Sequence, residues 1–342
     1  MKKISLVTSK MHLNNKIFSE DPILNFDNLL YFQRLFRECL FHKGYDLSTY
    51  DINAPEVSDY IFYIDYYKGV PEPKSENFHK NILFLWECEI IAPLLYNKEL
   101  HEKFSLIFTF CDDLVDNKKY FKINYNYLFP DDIRSDISQK TKLCTMISGN
   151  KRINHKNELY SERLEVIKWF DKNYFSDFDF YGRGWRDFSS PNKWMNRIYN
   201  RVPFCKSIFD YVARKRVSRC YKGEVISKGE VLPKYKFAIC YENTDSINGY
   251  ITEKIFHCFF NGIVPIYLGA PNILDHIPGN CFIDRRKFES MDELYVFLHN
   301  MSDDLYNNYL TEVRVFLNNS NSDVFNAKFV VKSVISEIFK DR

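Results

Sequence analysis

The sequence predicts an α/β protein built as two successive units, each a mainly parallel sheet with helices on both faces. Three observations predict it. Short apolar runs alternate with longer stretches of helical periodicity along most of the chain, and strands separated by helices pair in parallel. The alternation lapses once, between residues 121 and 141, and then starts again. At 342 residues the chain also exceeds what one hydrophobic core usually serves.

The first unit is expected over residues 1–140. Residues 4–7 read as a strand, and 24–41 as a helix with Leu29, Phe32, Phe36 and Leu40 at helical spacing. Residues 60–64 and 82–86 read as strands, 93–103 as a helix and 106–110 as a strand. Asn124, Asn126, Pro130 and the Asp131-Asp132 pair then interrupt the pattern and mark the loop into a second unit, 141–342. There 143–147, 178–181, 236–240 and 263–267 read as strands, with helices at 161–170, 252–260, 291–299 and 325–339. The last of these helices is a candidate to pack back on the first unit. Two such units imply a cleft between them, a usual place for ligands.

Composition excludes several classes. Lys and Arg total 47 against 45 Asp and Glu, a formal charge of +2, whereas a nucleic-acid protein shows a clear basic excess or stripe. Aromatic residues reach 17%, with 31 Phe and 24 Tyr, and their place in apolar periodic runs makes them mainly core filler. Nine cysteines carry no CxxC pair, so neither a zinc framework nor a disulfide scaffold is expected, and buried free thiols are. The start, MKKISLVTSK, lacks a signal-peptide core, and no stretch approaches the roughly 18–20 apolar residues of a membrane span. The expectation is a cytosolic protein, at most peripheral to a membrane where its substrate is assembled.

The most informative stretch is 236–271, KFAICYENTDSINGYITEKIFHCFFNGIVPIYLGAP. A buried strand ends at Cys240, a polar loop follows, a helix opens near Thr252, and Gly262 stops it before the next strand. A helix amino terminus at the carboxyl end of a strand offers unpaired N–H groups and partial positive charge. Lys254 in the first turn is poorly placed for helix stability, which makes sense if it meets an anion such as diphosphate.

This stretch resembles the donor-binding signature of the α-1,3/1,4-fucosyltransferases, glycosyltransferase family 10. The matching positions are Tyr235-Lys236-Phe237, Glu242-Asn243, Gly249-Tyr250-Ile251-Thr252-Glu253-Lys254-Ile255 and Pro265-Ile266-Tyr267-Leu268-Gly269-Ala270-Pro271. Weaker resemblances lie in Phe180-Tyr181-Gly182-Arg183-Gly184-Trp185 and in Phe108-Thr109-Phe110 followed by Asp112-Asp113. The likeness runs from about Ile82 to Asp284. The Asp112-Asp113 pair could tempt a metal reading, but adjacent loop carboxylates are commonly solvated turn residues.

The resemblance implies the GT-B arrangement, two Rossmann-like domains facing each other across a cleft. It also implies an inverting transfer of L-fucose from GDP-β-L-fucose to O3 or O4 of an acceptor sugar, usually an N-acetylglucosamine-containing glycan. No metal or other cofactor is required by that scheme, a divalent cation serving at most as a stimulant. Glu87, ending the apolar strand 82–86, is the expected base; Glu89, on the same side of an extended chain, is its rival. Lys254, the helix opening at Thr252, and Arg163 are expected on the diphosphate, Arg163 through its guanidinium fork. Glu253 is expected on the ribose hydroxyls, with Asn243 and Tyr250 at the nucleotide end. Other readings of the same residues are a GT-B transferase for another nucleotide sugar and an inactive glycan-binding protein.

Overall fold

The computed structural model describes residues 1–21, 23–133, 137–188, 190, 192–202, 207–209 and 217–340. Its strands are β1 (Lys2–Val7), β2 (Tyr45–Thr49), β3 (Tyr60–Ile64), β4 (Asn81–Leu85), β5 (Leu106–Thr109), β6 (Tyr120–Lys122), β7 (Lys142–Ile147), β8 (Phe178–Tyr181), β9 (Tyr235–Tyr241), β10 (Val264–Leu268) and β11 (Ile283–Asp284). The helices are α1 (Tyr31–His42), α2 (Lys98–His101), α3 (Tyr160–Asn173), α4 (Lys193–Arg201), α5 (Glu253–Phe260), α6 (Met291–His299), α7 (Asp303–Leu317) and α8 (Ala327–Ile338). β1–β6 form one sheet in the order β2-β1-β3-β4-β5-β6, and β7–β11 a second in the order β11-β10-β9-β7-β8. Every pairing in both is parallel.

Parallel sheets are covered on both faces, so their strands carry apolar runs rather than alternation. Successive side chains leave a strand on opposite faces. Ile82 and Phe84 of β4 therefore join one core cluster, with Phe32, Phe36, Phe62 and Phe108, while Leu83 and Leu85 join another, with Tyr63, Phe104 and Ile107. Phe84 stacks on Phe108 with ring centres 5.2 Å apart and meets Phe36 edge-on at 5.7 Å. The second sheet is packed in the same way, Phe178, Phe237, Ile239 and Ile266 lying in one cluster with Val166 and Phe170 of α3.

The chain divides into two compact units, Met1–Phe129 with Ile247–Glu253 and Leu317–Arg342, and Pro130–Ser246 with Lys254–Phe316. The sequence predicts a single cut at 140/141. The final helix belongs to the first unit because Val330, Val331, Val334 and Ile335 complete the cluster around α1, and Phe339 lies 4.7 Å from Tyr45. The segment 247–253 belongs there too, and the helix it leads into does not.

Local chemistry explains where the expected elements shifted. The helix expected at 93–103 is a 3₁₀ turn, Pro93–Tyr96, followed by the single turn α2. Asn97 ends the first and caps the second, its side chain accepting from Glu99 N–H at 2.9 Å. The helix expected from residue 24 begins at Tyr31, since Asp27 adopts φ 50° and breaks the periodicity; Leu29 is exposed while Phe32, Phe36 and Leu40 are buried. β2, β6, β11, α4 and α7 are not among the expected elements. Among the described residues eight cysteines are free thiols, and no helix is long and apolar enough to cross a membrane.

Candidate active site

In a parallel sheet the carboxyl ends of the strands gather functional loops. In each sheet, side chains hold the peptide groups at the end of the strand that carries expected site residues, β4 in the first and β9 in the second.

In the first unit, β4 ends at Leu85 and the chain turns through Trp86 and Glu87. Glu87 is half-buried and Glu89 is exposed. The N–H groups of Trp86 and Glu87 both donate to Asp65 Oδ1, at 2.7 and 3.1 Å. The Tyr125 hydroxyl donates to the Trp86 carbonyl, and the Tyr96 hydroxyl donates to the Glu87 carbonyl at 3.1 Å. Asp65 follows β3 directly, at φ 52°, and is only 3% exposed. Burial pushes its carboxyl up to about 7, against the pull of the two N–H donors. Tyr67 donates to its other oxygen at 3.2 Å.

The segment 247–253 is seated on the neighbouring strand end of the same unit. Asp112 N–H donates to the Asn248 carbonyl at 3.1 Å, and Asn248 Nδ2 to Asp113 Oδ1 at 2.9 Å. Lys122 pairs with Asp112 at 2.5 Å. Gly249, at φ 78°, lies directly over this pair: a Cβ would fall 2.4 Å from the Phe110 carbonyl and 2.5 Å from Lys122 Nζ. Only glycine combines that backbone with that approach. Asp112 and Asp113 thus anchor the segment rather than sitting as solvated turn residues.

Tyr250 is the clearest departure from expectation. It was assigned to packing at the nucleotide end, yet it is 2% exposed, with its ring 5.1 Å from Phe110 and 6.1 Å from Tyr125. The reason is hydrophobic: its ring closes a small cluster with Cys88, Phe110 and Cys111. Thr252 is also buried, and Glu253 opens α5 half-buried. The expected helix at 252–260 therefore starts one residue later.

In the second unit, β9 ends at Tyr241, and Glu242 and Asn243 follow. Arg163 on α3 is 5% exposed, not the solvated arginine that its flanking Glu162 and Glu165 would suggest. Its Nη2 donates to the carbonyls of Tyr241 at 2.7 Å and Glu242 at 2.6 Å, and to Asn243 Oδ1 at 3.1 Å. Nη1 reaches the Ser148 hydroxyl at 3.2 Å, and the guanidinium lies 4.8 Å above the Tyr160 ring. The loop after β7 is tied alongside, Trp185 Nε1 donating to the Ser148 carbonyl at 2.6 Å and Asn150 Nδ2 to the Gly184 carbonyl at 2.9 Å.

Lys254, in the first turn of α5, donates to Glu242 Oε2 at 2.8 Å, and the Glu242 side chain is 0% exposed. The misplaced first-turn cation thus has an anion from its own chain. A buried carboxylate requires such a partner, and Glu242 is held close because Gly269 carries no side chain: a Cβ there would lie 2.5 Å from Glu242 Cγ.

The structure therefore groups Arg163, Asn243 and, through Glu242, Lys254 in one unit, and Glu87, Tyr250, Thr252 and Glu253 in the other. Sequence reasoning missed Glu242, Ser148 and Asp65 as site residues. Asp65 and Glu242 had a usable signal, since each is a carboxylate directly after an apolar strand, the same signal that picked out Glu87. Among the described residues no group of three or more His, Cys, Asp or Glu side chains is placed to hold a metal ion.

Comparison with known proteins agrees with this architecture. Residues 137–323, more than half of the chain, match the family described as glycosyltransferase family 10 (fucosyltransferase), C-terminal region. An α-(1,4)-fucosyltransferase of Arabidopsis thaliana is 43% identical over 77 residues, 22% of this chain and 19% of that protein. An α-(1,3)-fucosyltransferase of Helicobacter pylori is 37% identical over 93 residues, covering 25% and 19%. A GDP-fucose protein O-fucosyltransferase 3 of Gallus gallus is 36% identical over 84 residues, covering 24% and 18%. The matched stretches thus span about a fifth of each of these relatives. Among solved structures, an α1,3-fucosyltransferase with GDP superposes with a TM-score of 0.58 at 16% identity, covering 100% of this chain and 91% of that one. Anabaena HepE with UDP and glucose gives 0.53 at 8% identity, covering 99% of each chain. These likenesses show the fold, GT-B with two parallel-sheet α/β domains.

Proposed function

Because the chain belongs to glycosyltransferase family 10, we propose that it transfers L-fucose from GDP-β-L-fucose to O3 or O4 of an N-acetylglucosamine-containing acceptor, with inversion. One observation carries the reading: the strand end at Tyr241–Asn243, where a buried guanidinium and the Lys254 ammonium gather at the opening of α5. Positive charge held in place ahead of the reaction stabilises the diphosphate as it departs, without reorganisation at that moment. Lys254 and Arg163 supply that charge, and Glu242 keeps the ammonium from swinging away. Asn243 and Glu253 hydrogen-bond the nucleoside. Tyr250 acts only by fixing the chain that leads into α5.

Glu87 takes the proton of the acceptor hydroxyl as it attacks the anomeric carbon, and the C–O bond to the diphosphate breaks on the opposite face. Such a base contributes about 10²–10⁴ in rate. No metal is required in this reading, a divalent cation serving at most as a stimulant, so turnover is expected to persist in EDTA. The activity is cytosolic in this reading.

The test is labelled GDP-fucose offered to a glycan panel, with linkage analysis of the product. Transfer to N-acetyllactosamine at a single hydroxyl is expected. Thermal shift should show stabilisation by GDP but not by UDP or ADP, since a ligand that binds only the native state raises its stability. Stabilisation by UDP alone would overturn the donor assignment, and binding of GDP without any turnover would favour a glycan-binding protein. The relatives named protein O-fucosyltransferase 3 support a second acceptor class, a serine or threonine hydroxyl, so a peptide carrying both belongs on the panel. Glu87→Gln should retain GDP binding and lose about 10²–10⁴ in kcat.

A further inference from the structure

We infer that Asp65, with Tyr96 and Tyr125, is the positioning device of the transfer reaction: the three side chains capture all four backbone polar groups of Trp86 and Glu87 and thereby fix where the base stands. The inference rests on the reading of Glu87 as that base.

Beyond the end of β4 the peptide groups have left the sheet, and a chain leaving a sheet ordinarily satisfies them with water or turn hydrogen bonds. Here none is left to either. Asp65 Oδ1 accepts from Trp86 and Glu87 N–H, Tyr125 donates to the Trp86 carbonyl and Tyr96 to the Glu87 carbonyl. Each holder is itself held. Asp65 N–H donates to the Phe84 carbonyl at 2.9 Å, and its second oxygen accepts from Tyr67. The Tyr125 ring is packed on Trp86 at 5.5 Å and on Phe110 at 5.6 Å.

A purely structural turn would not need a buried carboxylate, which is costly in an apolar setting unless its bonds are made. Peptide groups held on all four sides of one half-buried glutamate supply the fixed geometry a base needs if its carboxylate must meet an acceptor hydroxyl within hydrogen-bond reach. The device acts through the backbone and touches no substrate. It therefore sets kcat rather than donor affinity, since misplacing a reacting group by about 1 Å costs about 10²-fold.

The test uses the full chain, with GDP release from GDP-fucose measured in the presence of N-acetyllactosamine and GDP affinity measured by calorimetry. Asp65→Ala should lower kcat about 10- to 100-fold with the GDP Kd within twofold of the parent value. Asp65→Asn, which keeps an acceptor oxygen and tolerates the same backbone, should restore kcat to within about threefold. Tyr96→Phe and Tyr125→Phe each release one carbonyl and should lower kcat about 3- to 10-fold with folding intact, which keeps the test decisive if the alanine variant does not fold. Parental kcat in both phenylalanine variants, or in folded Asp65→Ala, overturns the inference. A loss of GDP affinity in step with kcat also overturns it. Glu87→Gln separates the two ideas: parental turnover there removes the base assignment itself, whereas an inactive Glu87→Gln beside a fully active Asp65→Ala removes only the positioning role.

Discussion

The strand ends after β4 and β9 solve one problem with side chains of opposite kind. After β4 the peptide N–H groups are gathered by a buried carboxylate, Asp65. After β9 the peptide carbonyls are gathered by a buried guanidinium, Arg163. In both places the chain leaves the sheet, its backbone needs partners, and a side chain from the neighbouring strand or helix supplies them. The choice of partner decides what the edge can do. Asp65 gathers two N–H donors beside Glu87 while burial favours its own protonated form. Arg163 adds positive charge near Lys254, an environment that suits an anion. Scaffold and electrostatics are set by the same residues.

The contrast is sharpest in what each edge loses when its holder is removed. Arg163→Met leaves four acceptors without their charged donor and should cost about 3–5 kcal/mol, read as a shift in urea unfolding. A cost below about 1 kcal/mol would mean that the guanidinium is not what holds β9's end. Gly249→Ala tests the anchoring of 247–253 on the first unit. With φ at 78° and the Phe110 carbonyl in the way, about 2–3 kcal/mol of destabilisation is expected from the strained backbone and the clash, and a neutral result would show that the segment can lift off Lys122 and Asp112 freely.

The third test uses pH. Asp65 titrates higher in the folded chain, at about 7, than in the unfolded chain, at about 3.8. The folded state thus holds the proton more tightly, so this group's contribution is fully present below pH 3.8 and is lost as pH rises to about 7. The groups facing it are Glu87, Tyr67, Tyr96 and Tyr125. Asp65→Asn should therefore gain stability relative to the parent as pH rises from 5 to 6, by at most about 1.4 kcal/mol, while Arg163→Met shows no such trend. An unchanged difference across that range would break the contrast. The smallest effect is expected for Tyr96→Phe, about 0.5–1.5 kcal/mol for one carbonyl hydrogen bond, measured by thermal unfolding.

Much of the fold was legible along the chain. The runs through Ile82–Phe84 and Phe237–Ile239 read as strands buried on both faces because the strand period and the absence of polar interruption are local properties. The donor motif was legible for the same reason, since Glu242-Asn243 and 249–255 lie within one short stretch whose order of residues survives without any structure. Glu87 was legible as a carboxylate ending an apolar strand. Asp65 carries the same mark after β3 and was overlooked, because only the sheet order brings β3 beside β4 and so sets its carboxyl under the Trp86 and Glu87 peptides.

Other matters belonged to the tertiary structure alone. Lys254 could be seen to need an anion, but that Glu242 provides one depends on β9, Gly269 and α5 converging. Tyr250 sits in the motif as though for a ligand, and is instead a core residue, because the cluster of Phe110 and Tyr125 that covers it comes from more than a hundred positions earlier in the chain. The last helix shows an apolar face in sequence but not the surface that receives it. Periodicity and propensity are fixed by neighbours a few residues apart, whereas partners across a parallel sheet are brought together by crossovers, and it is the partner that decides whether a charge or an aromatic ring serves the core or the chemistry.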